Sequence, residues 1–162
     1  MRAYRIIVRS LASLFAASVA AAVLAGCTSS KDPFFMVEVC LQDATGVAAF
    51  KEEMHEIARS HGVSLVDDSK LAEIGVDATT SPEFRRKLTR PVVSMVVRHG
   101  ENVIAIVGNT GLPPGHVAIG FFGGSGFDSQ EFSETVVKRL AMKWQVEIVP
   151  QGSGAQGIEG CT

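Results

Sequence analysis

The sequence lacks the features by which nucleic-acid-binding and nucleotide-binding proteins are usually identified. It has 15 lysine and arginine residues against 17 acidic ones, a net charge of −2, and neither a basic run nor an interleaving of basic and aromatic residues. Such a chain carries no electrostatic footprint for DNA or RNA, so nucleic-acid binding is not expected. Its glycines form no P-loop and no complete dinucleotide fingerprint, and there is no internal repeat. No cofactor is predicted.

The start of the chain separates its charge from its hydrophobic residues. Residues 1–10 contain three arginines and no acidic residue, and residues 11–26 contain no charge. A basic start, an apolar stretch and small residues before a cleavage site are typical of a secretory signal peptide. As a helix, the apolar stretch would reach about 24 Å, short of the roughly 30 Å hydrocarbon core of a bilayer. We therefore predict a signal peptide over residues 1–26, in preference to a transmembrane anchor.

The apolar stretch ends in the tetrapeptide Leu24-Ala25-Gly26-Cys27. This tetrapeptide resembles the lipobox of bacterial lipoproteins at every position. The resemblance implies that the Cys27 thiol takes a diacylglycerol, that the chain is cut before Cys27, and that the new amino terminus is acylated, for example with palmitate. The alternative is an ordinary secreted protein with an unrelated cysteine at this position.

A lipid on Cys27 would determine where the protein is located. One acyl chain binds a membrane only marginally, whereas several chains hold a protein there stably. Thr28 stands where many Gram-negative lipoproteins have the aspartate that retains them at the inner membrane, which implies sorting to the outer membrane, facing the periplasm. The tether, residues 27–33, is short, since the six residues after Cys27 reach about 20 Å when extended. We therefore expect the folded domain to stay close to the bilayer.

Cleavage before Cys27 would leave 136 residues, enough for one domain. The loss of three arginines would take the net charge from −2 to −5. We expect a folded domain over residues 34–150 and a glycine-rich tail over residues 151–162. With Cys27 lipidated, Cys40 and Cys161 remain as an even pair in an oxidising compartment, which predicts a disulfide between them. The alternative is a buried free Cys40 and a reactive Cys161 in a loose tail.

Hydrophobic periodicity predicts an α+β domain. Residues 67–90 are the least regular part and form an insert, with a short helix from Ser69 to Gly75 and a further turn from Pro82. The short connection after residue 98 implies an antiparallel hairpin. This order predicts a two-layer sandwich of a mainly antiparallel sheet and two helices, similar to a ferredoxin-like arrangement with an insert. The strands are predicted over 34–41, 63–66, 91–98, 102–108, 116–122 and 146–150, and the two helices over 46–62 and 129–144.

Two central strands carry apolar residues on both faces, although a two-layer sandwich needs only one apolar face. Val92 and Val96 alternate with core-facing residues in one strand, and Ile104 and Ile106 do so in the next. A strand that is apolar on both faces must be covered twice. The second cover would be the 67–90 insert, a barrel-like curl of the sheet, or another protein.

The loop between these strands and the next one also has a restricted shape. Residues 109–115 contain two prolines and two glycines, with Asn109 and His116 at the edges of the loop. Such a loop suits recognition, although it could simply connect two strands. The candidate binding residues are therefore Val92, Val96, Ile104, Ile106, Asn109 and His116.

Three motifs resemble catalytic or ligand-binding patterns without completing them. In HEIAR, the position where a zinc-protease helix needs its second histidine is Arg59. In GGSGF, Phe127 stands where a nucleophile elbow needs glycine, and all four histidines precede Ser125, against the hydrolase order. The same glycines could bind an anion before a helix, but Asp128 would occupy those N–H groups. No catalytic residue and no metal site is predicted.

The sequence therefore favours a membrane-anchored, non-catalytic module that binds a protein. The partner would be an envelope-assembly component, or a toxin that the module neutralises as an immunity protein. Three alternatives stay open. They are an envelope hydrolase with scattered residues such as Asp43, His116 and Asp128, a lipoprotein that binds a small ligand, and a purely structural envelope lipoprotein.

Overall fold

Six strands and four helical segments make up the part of the chain that the computed structural model describes, residues 32–79, 81–85 and 91–161. The contacts divide the chain between Asp32 and Pro33, and the description below concerns the second unit. Its elements are β1 (Phe35–Cys40), α1 (Ala44–Ser60), β2 (Ser64–Asp67), α2 (Ser69–Thr79), α3 (Pro82–Arg85), β3 (Ser94–His99), β4 (Asn102–Gly108), β5 (His116–Phe121), α4 (Ser129–Ala141) and β6 (Gln145–Ile148).

All six strands pair antiparallel in one sheet, in the order β2-β3-β4-β5-β1-β6. Strands β2 to β5 form a meander, and β1 lies between β5 and β6. The predicted α+β class with an antiparallel sheet is therefore confirmed. The ferredoxin-like order is not confirmed. That arrangement is built from split β-α-β units, in which one strand lies between the two strands that a helix connects, whereas three strands, β3, β4 and β5, lie between β1 and β2.

Alternation along the strands places every second residue on the face that α1 and α4 cover. In the register, Val37 pairs with Ile119 and Ile119 with Val107, and all three are at most 1% exposed. A fully buried side chain of this kind contributes about 1.5–3 kcal/mol, so this face is the main source of stability. The helix residues that cover it have helical spacing and are Phe50, Met54 and Ile57 from α1 and Phe132, Val136 and Leu140 from α4.

Strand β4 contains a bulge. Val97 pairs with Ala105 and Arg98 with Val103, so Ile104 is the extra residue. Ile104 is fully buried and belongs to the core under the helices. The prediction that Ile104 faces outward was wrong, because strict alternation holds only where no residue is inserted.

Helix ends follow local side-chain chemistry. The Asp43 carboxylate accepts hydrogen bonds from two N–H groups in the first turn of α1, at 2.8 and 2.9 Å, so α1 begins earlier than predicted. Asp128 accepts a hydrogen bond from the Glu131 N–H at 2.9 Å, which confirms it as the cap of α4. Gly62, with a φ of 64° in the left-handed region that favours glycine, follows the end of α1.

The insert contains a longer helix than predicted. Ser69 begins α2, and its N–H donates to the Asp67 carboxylate at 3.0 Å. The helix does not end at Gly75 but continues to Thr79, whose hydroxyl donates to the Gly75 carbonyl at 2.7 Å. A glycine inside a helix lowers the stability of the helix by only about 1 kcal/mol relative to alanine, so α2 can continue past Gly75. The turn predicted from Pro82 is present as α3.

The tail is covalently joined to the first strand. Cys40 and Cys161 form a disulfide with a Cα–Cα distance of 5.7 Å and a sequence separation of 121 residues. The predicted disulfide is therefore confirmed.

Candidate functional site

The outer face of the sheet, defined here as the face opposite α1 and α4, has a polar half and an apolar half. In the polar half, Glu38 of β1 lies directly opposite Glu147 of β6, and Cys40 lies opposite His116. In the apolar half, small and aliphatic residues lie side by side across β3, β4 and β5. These are Val96, Ile106, Gly108, Ala118 and Gly120.

The tail, residues 151–161, covers the polar half. The Gly157 N–H donates to Glu38 Oε2 at 2.8 Å. His116 Nε2 lies 3.3 Å from the Ile158 carbonyl oxygen, and the Ile158 side chain is 4% exposed. With the disulfide at Cys161, these contacts hold the tail against the sheet at three successive points.

Gly157 is required by the way the tail lies on the sheet. Its φ of 98° belongs to the left-handed region that favours glycine. A Cβ at this position would lie 2.9 Å from Pro113 Cγ and 3.5 Å from His116 Nε2. The tail can therefore pack this closely on the 109–115 loop only because residue 157 has no side chain.

The insert helix α2 lies at the other side of the outer face. Ser69 is the one residue of α2 that is buried, and its hydroxyl accepts a hydrogen bond from the Ser94 N–H of β3 at 3.0 Å. Further along the helix, Leu71 is 69% exposed and Ile74 is 57% exposed. The described residues of the insert therefore cover the second face only in part.

Between the tail and α2 the outer face stays open as a groove of about 560 Å³. The groove is lined on the sheet by Ile106, Gly108, Ala118 and Gly120, among others, and its lining contains no charged side chain among the described residues. Ile106 is 47% exposed. The groove is an apolar surface that the described residues of the tail and of the insert leave open.

Two of the six candidate binding residues are available on this face. Val96 and Ile106 are cross-strand neighbours on the outer face, as predicted, and neither is fully buried. Val92 precedes β3 and is 4% exposed, and Ile104 lies in the core. Neither buried residue can present its side chain to a partner, so both assignments are corrected.

Asn109 and His116 are also buried, and their polar atoms are used within the chain. Asn109 Oδ1 accepts a hydrogen bond from the Val93 N–H, and its Nδ2 donates to the Pro91 carbonyl, both at 2.8 Å. His116 Nδ1 lies 3.0 Å from the Pro114 carbonyl oxygen, while Nε2 faces the tail. These residues fix the 109–115 loop and the tail, and they do not form a recognition surface.

The scattered residues considered for a hydrolase are not brought together. Asp43 and Asp128 cap α1 and α4. His116 begins β5, and Asp128 lies beyond the other end of that strand, which spans roughly 17–20 Å.

The incomplete motifs have structural roles or lie exposed. His55 is exposed on α1, and His61 Nδ1 lies 3.0 Å from the Ile57 carbonyl oxygen. Phe127 stacks on His99 with ring centroids 4.9 Å apart and also contacts Phe132 of the core. Phe127 therefore packs the connection between β5 and α4 onto the core.

Sequence reasoning missed the buried ion pairs of Glu53. Glu53 of α1 is 3% exposed and forms ion pairs with Lys143 and Arg139. The hydrogen bond from Lys143, together with the charge of Arg139, lowers the pKa of Glu53 in spite of its burial. In the sequence, Glu53 stands next to Met54 on the apolar side of α1. Acidic residues are rarely buried unless they are paired, so a glutamate at this position could have indicated a buried ion pair. The cluster ties α1 to the end of α4.

The predicted signal peptide and the lipidation site Cys27 lie outside the described residues. In the part of the chain that the structure describes, no helix has the length and hydrophobicity needed to cross a membrane. The same residues contain no group of three or more histidine, cysteine or acidic side chains arranged to hold a metal ion.

Comparisons with protein-family models, with curated proteins and with solved structures find no match. The candidate site is therefore defined by geometry, as the open groove on the outer face with Val96 and Ile106 and the exposed apolar side of α2.

Proposed function

We propose that this protein is a lipoprotein anchored through Cys27 in the cell envelope, at the outer membrane and facing the periplasm, and that it binds another protein without catalysis. The lipobox-like sequence before Cys27 supports the anchor and the location. The groove on the outer face supports the binding function. The partner is an envelope-assembly component or a toxin that the protein neutralises.

The observation that carries the binding function is that the described residues cover an apolar sheet face only in part. The groove has an uncharged lining, and Ile106 is 47% exposed within it. Leu71 and Ile74 add a second exposed apolar surface on the insert. Exposed apolar patches that are bordered by polar residues commonly mark interaction sites. Burial of each square ångström of apolar surface stabilises a complex by about 25 cal/mol, before the free-energy costs of association are subtracted.

The short tether restricts the choice of partner. Residues 28–33 reach about 20 Å when extended, so the domain acts close to the bilayer. The partner is therefore a protein that lies at the membrane surface or is brought to it.

A small apolar ligand is a second candidate occupant, because the volume of about 560 Å³ lies within the usual range for ligand sites. Ligand pockets normally enclose most of the surface of their ligand. A groove in which Ile106 stays nearly half exposed provides less enclosure, which favours a macromolecular partner.

Site-specific photo-crosslinking in the producing cell tests the proposal. A photoreactive amino acid replaces Ile106 in the groove or, as a control, Met142, which is 71% exposed at the end of α4. We expect one discrete protein adduct from position 106 and none from position 142. Identical adducts from both positions, or no protein adduct from position 106, would contradict the proposal.

A matched pair of substitutions tests the same surface by a pull-down of the partner that the crosslinking identifies. Ile106→Asp places a charge in the groove, and Met142→Asp places one at a similarly exposed position away from it. We expect only Ile106→Asp to reduce recovery of the crosslinked partner in a pull-down, while both variants keep the thermal stability of the parent. Loss of the partner from both variants would mean that the groove is not the determinant.

A further inference from the structure

A second apolar groove lies on the helix side of the sheet, between α4 and the adjoining ends of β1 and β6. Its volume is about 490 Å³, and it shares no lining residue with the groove on the outer face. Phe35 and Val137 pack against the core beneath it. Phe34 is 40% exposed and Ile148 is 65% exposed, and β6 is an edge strand of the described sheet. This groove, which we call the α4 groove, is therefore open to solvent at the edge of the sheet.

The tether joins the domain at the α4 groove. Phe34 follows the tether directly and lines the groove. Its N–H donates to the Phe121 carbonyl at 2.9 Å, and its carbonyl oxygen accepts a hydrogen bond from Gln151 Nε2 at 3.2 Å. These bonds fix the point at which the chain enters the sheet. The six residues between Cys27 and Phe34 reach about 20 Å when extended, so a lipid on Cys27 would hold the groove within about that distance of its attachment point.

The rim of the α4 groove adds a cation to this apolar surface. Lys138 is exposed and forms no ion pair with any described residue. Glu134, one turn earlier, accepts a hydrogen bond from Gln130 Nε2 at 3.1 Å. A lysine can lay its methylene stem on an apolar surface and place its ammonium among headgroup phosphates. The outer-face groove also adjoins the tether, at Pro33, but its described lining has no charged group, so the α4 groove fits a lipid surface better.

We propose that the domain docks on the bilayer through the α4 groove, with Phe34 and Ile148 at the acyl boundary and Lys138 among the headgroups. This inference rests on the proposed lipid anchor at Cys27. Apolar side chains beside a lysine are typical of surfaces that lie in the membrane interface. The tether makes the contact intramolecular, and short linkers give effective concentrations in the mM range, so a surface with an intrinsic Kd of about 1 mM is docked about half of the time. A free protein partner has no such advantage, which favours the bilayer as the occupant.

Quenching by spin-labelled lipids measures the docking. The full-length protein, purified in detergent from cells that produce it, is reconstituted into vesicles of phosphatidylethanolamine and phosphatidylglycerol that carry spin labels on some acyl chains. A fluorophore is attached to Gln130→Cys in the α4 groove or, as a control, to Met142→Cys at the other end of α4. We expect the lipid to quench most of the fluorescence at position 130 and little at position 142.

Two charged substitutions test the groove itself. Ile148→Asp and Leu71→Asp replace side chains of similar exposure, 65% and 69%, and of the two only Ile148 lines the α4 groove. In protein labelled at position 130, we expect Ile148→Asp to remove most of the quenching and Leu71→Asp to leave it unchanged. Equal quenching in the two variants would overturn the proposal.

Failure of the anchor and failure of the docking give different results. The parent should take up no fluorophore, because Cys27 would carry lipid and Cys40 and Cys161 form a disulfide. Uptake at Cys27 would overturn the anchor and the docking together. In a parent that does not react and floats with the vesicles, little quenching at position 130, or equal quenching at positions 130 and 142, would overturn the docking alone. Self-quenching of the label at position 130 without quenching by lipid would indicate a second copy in the groove, and would also overturn the docking.

Discussion

Removal of the disulfide between Cys40 and Cys161 is expected to destabilise the domain by several kcal/mol. The bond joins residues 121 positions apart, and the chain-entropy model gives about 5 kcal/mol for a loop of this length at 25 °C. Native disulfides in secreted domains typically contribute about 2–5 kcal/mol. We therefore expect a loss in that range, a large part of the roughly 5–15 kcal/mol that stabilises a domain.

Urea unfolding followed by tryptophan fluorescence measures this loss. Trp144 is the single tryptophan of the chain, and it contacts Phe50 of the core edge-on, with ring centroids 6.0 Å apart. With an m-value of about 1–3 kcal/mol/M for a domain of this size, the midpoint should fall by roughly 1–3 M. The comparison uses the oxidised protein, the same protein in dithiothreitol, and the double variant Cys40→Ser, Cys161→Ser.

The double variant separates the bond from the reagent. We expect it to unfold at the same urea concentration as the reduced protein, and addition of dithiothreitol should then change nothing further. Midpoints of the oxidised and reduced proteins that agree within about 0.3 M would refute the reasoning, because the bond would then contribute nothing to the free energy of unfolding.

Three other predictions follow from individual contacts. Gly157→Ala should destabilise the protein by about 1–3 kcal/mol, because φ is 98° at this position and the added Cβ would contact the 109–115 loop. Gly152→Ala should destabilise it less, because φ is 81° there but the space around the Cβ is open. Equal urea midpoints of the two variants would contradict this prediction. Ile104→Ala should cost about 2–5 kcal/mol as a core truncation, and Ile106→Ala should stay within about 0.5 kcal/mol as a surface change; the reverse order would contradict the bulge. Glu53→Gln should lower the free energy of unfolding by about 1–3 kcal/mol at pH 7. Because the pKa of Glu53 in the folded state is lowered from 4.5, the unfolded parent binds the proton first, and the difference in free energy of unfolding between parent and variant should shrink as the pH falls below about 4.5. A difference in urea midpoint that stays constant from pH 7 to pH 3 would refute this prediction.

The class of the fold and most of its elements could be predicted from local patterns. Strand β4 was predicted with the bounds that it has, 102–108, because β-formers fill it and turn residues bound it on both sides. The disulfide followed from the number of cysteines that lipidation would leave. Both features depend on information that lies within a short stretch of sequence or in a simple count.

Features that depend on distant contacts could not be predicted in this way. The sheet order requires knowledge of which strands pair, and a meander of four strands looks locally like two hairpins. The bulge at Ile104 follows from the pairing of β4 with β3. For the tail, only the disulfide could be predicted, because neither the Gly157 hydrogen bond to Glu38 nor the burial of Ile158 has a local signature.

The candidate site was predicted in part for the same reason. Alternation correctly placed Val96 and Ile106 on the outer face. It could not show that Asn109 and His116 turn inward to satisfy backbone groups of the 109–115 loop, of the segment before β3 and of the tail. A polar residue at the edge of a loop has the same appearance in a sequence whether it serves recognition or holds the loop.

Incorporation of radiolabelled palmitate tests the central claim most directly. Cells that produce the protein are labelled, and the immunoprecipitated protein is compared with its Cys27→Ser variant. We predict that the parent carries the label in the membrane fraction and that Cys27→Ser carries none. An unlabelled parent protein, or equal labelling of Cys27→Ser, would contradict an anchor at Cys27.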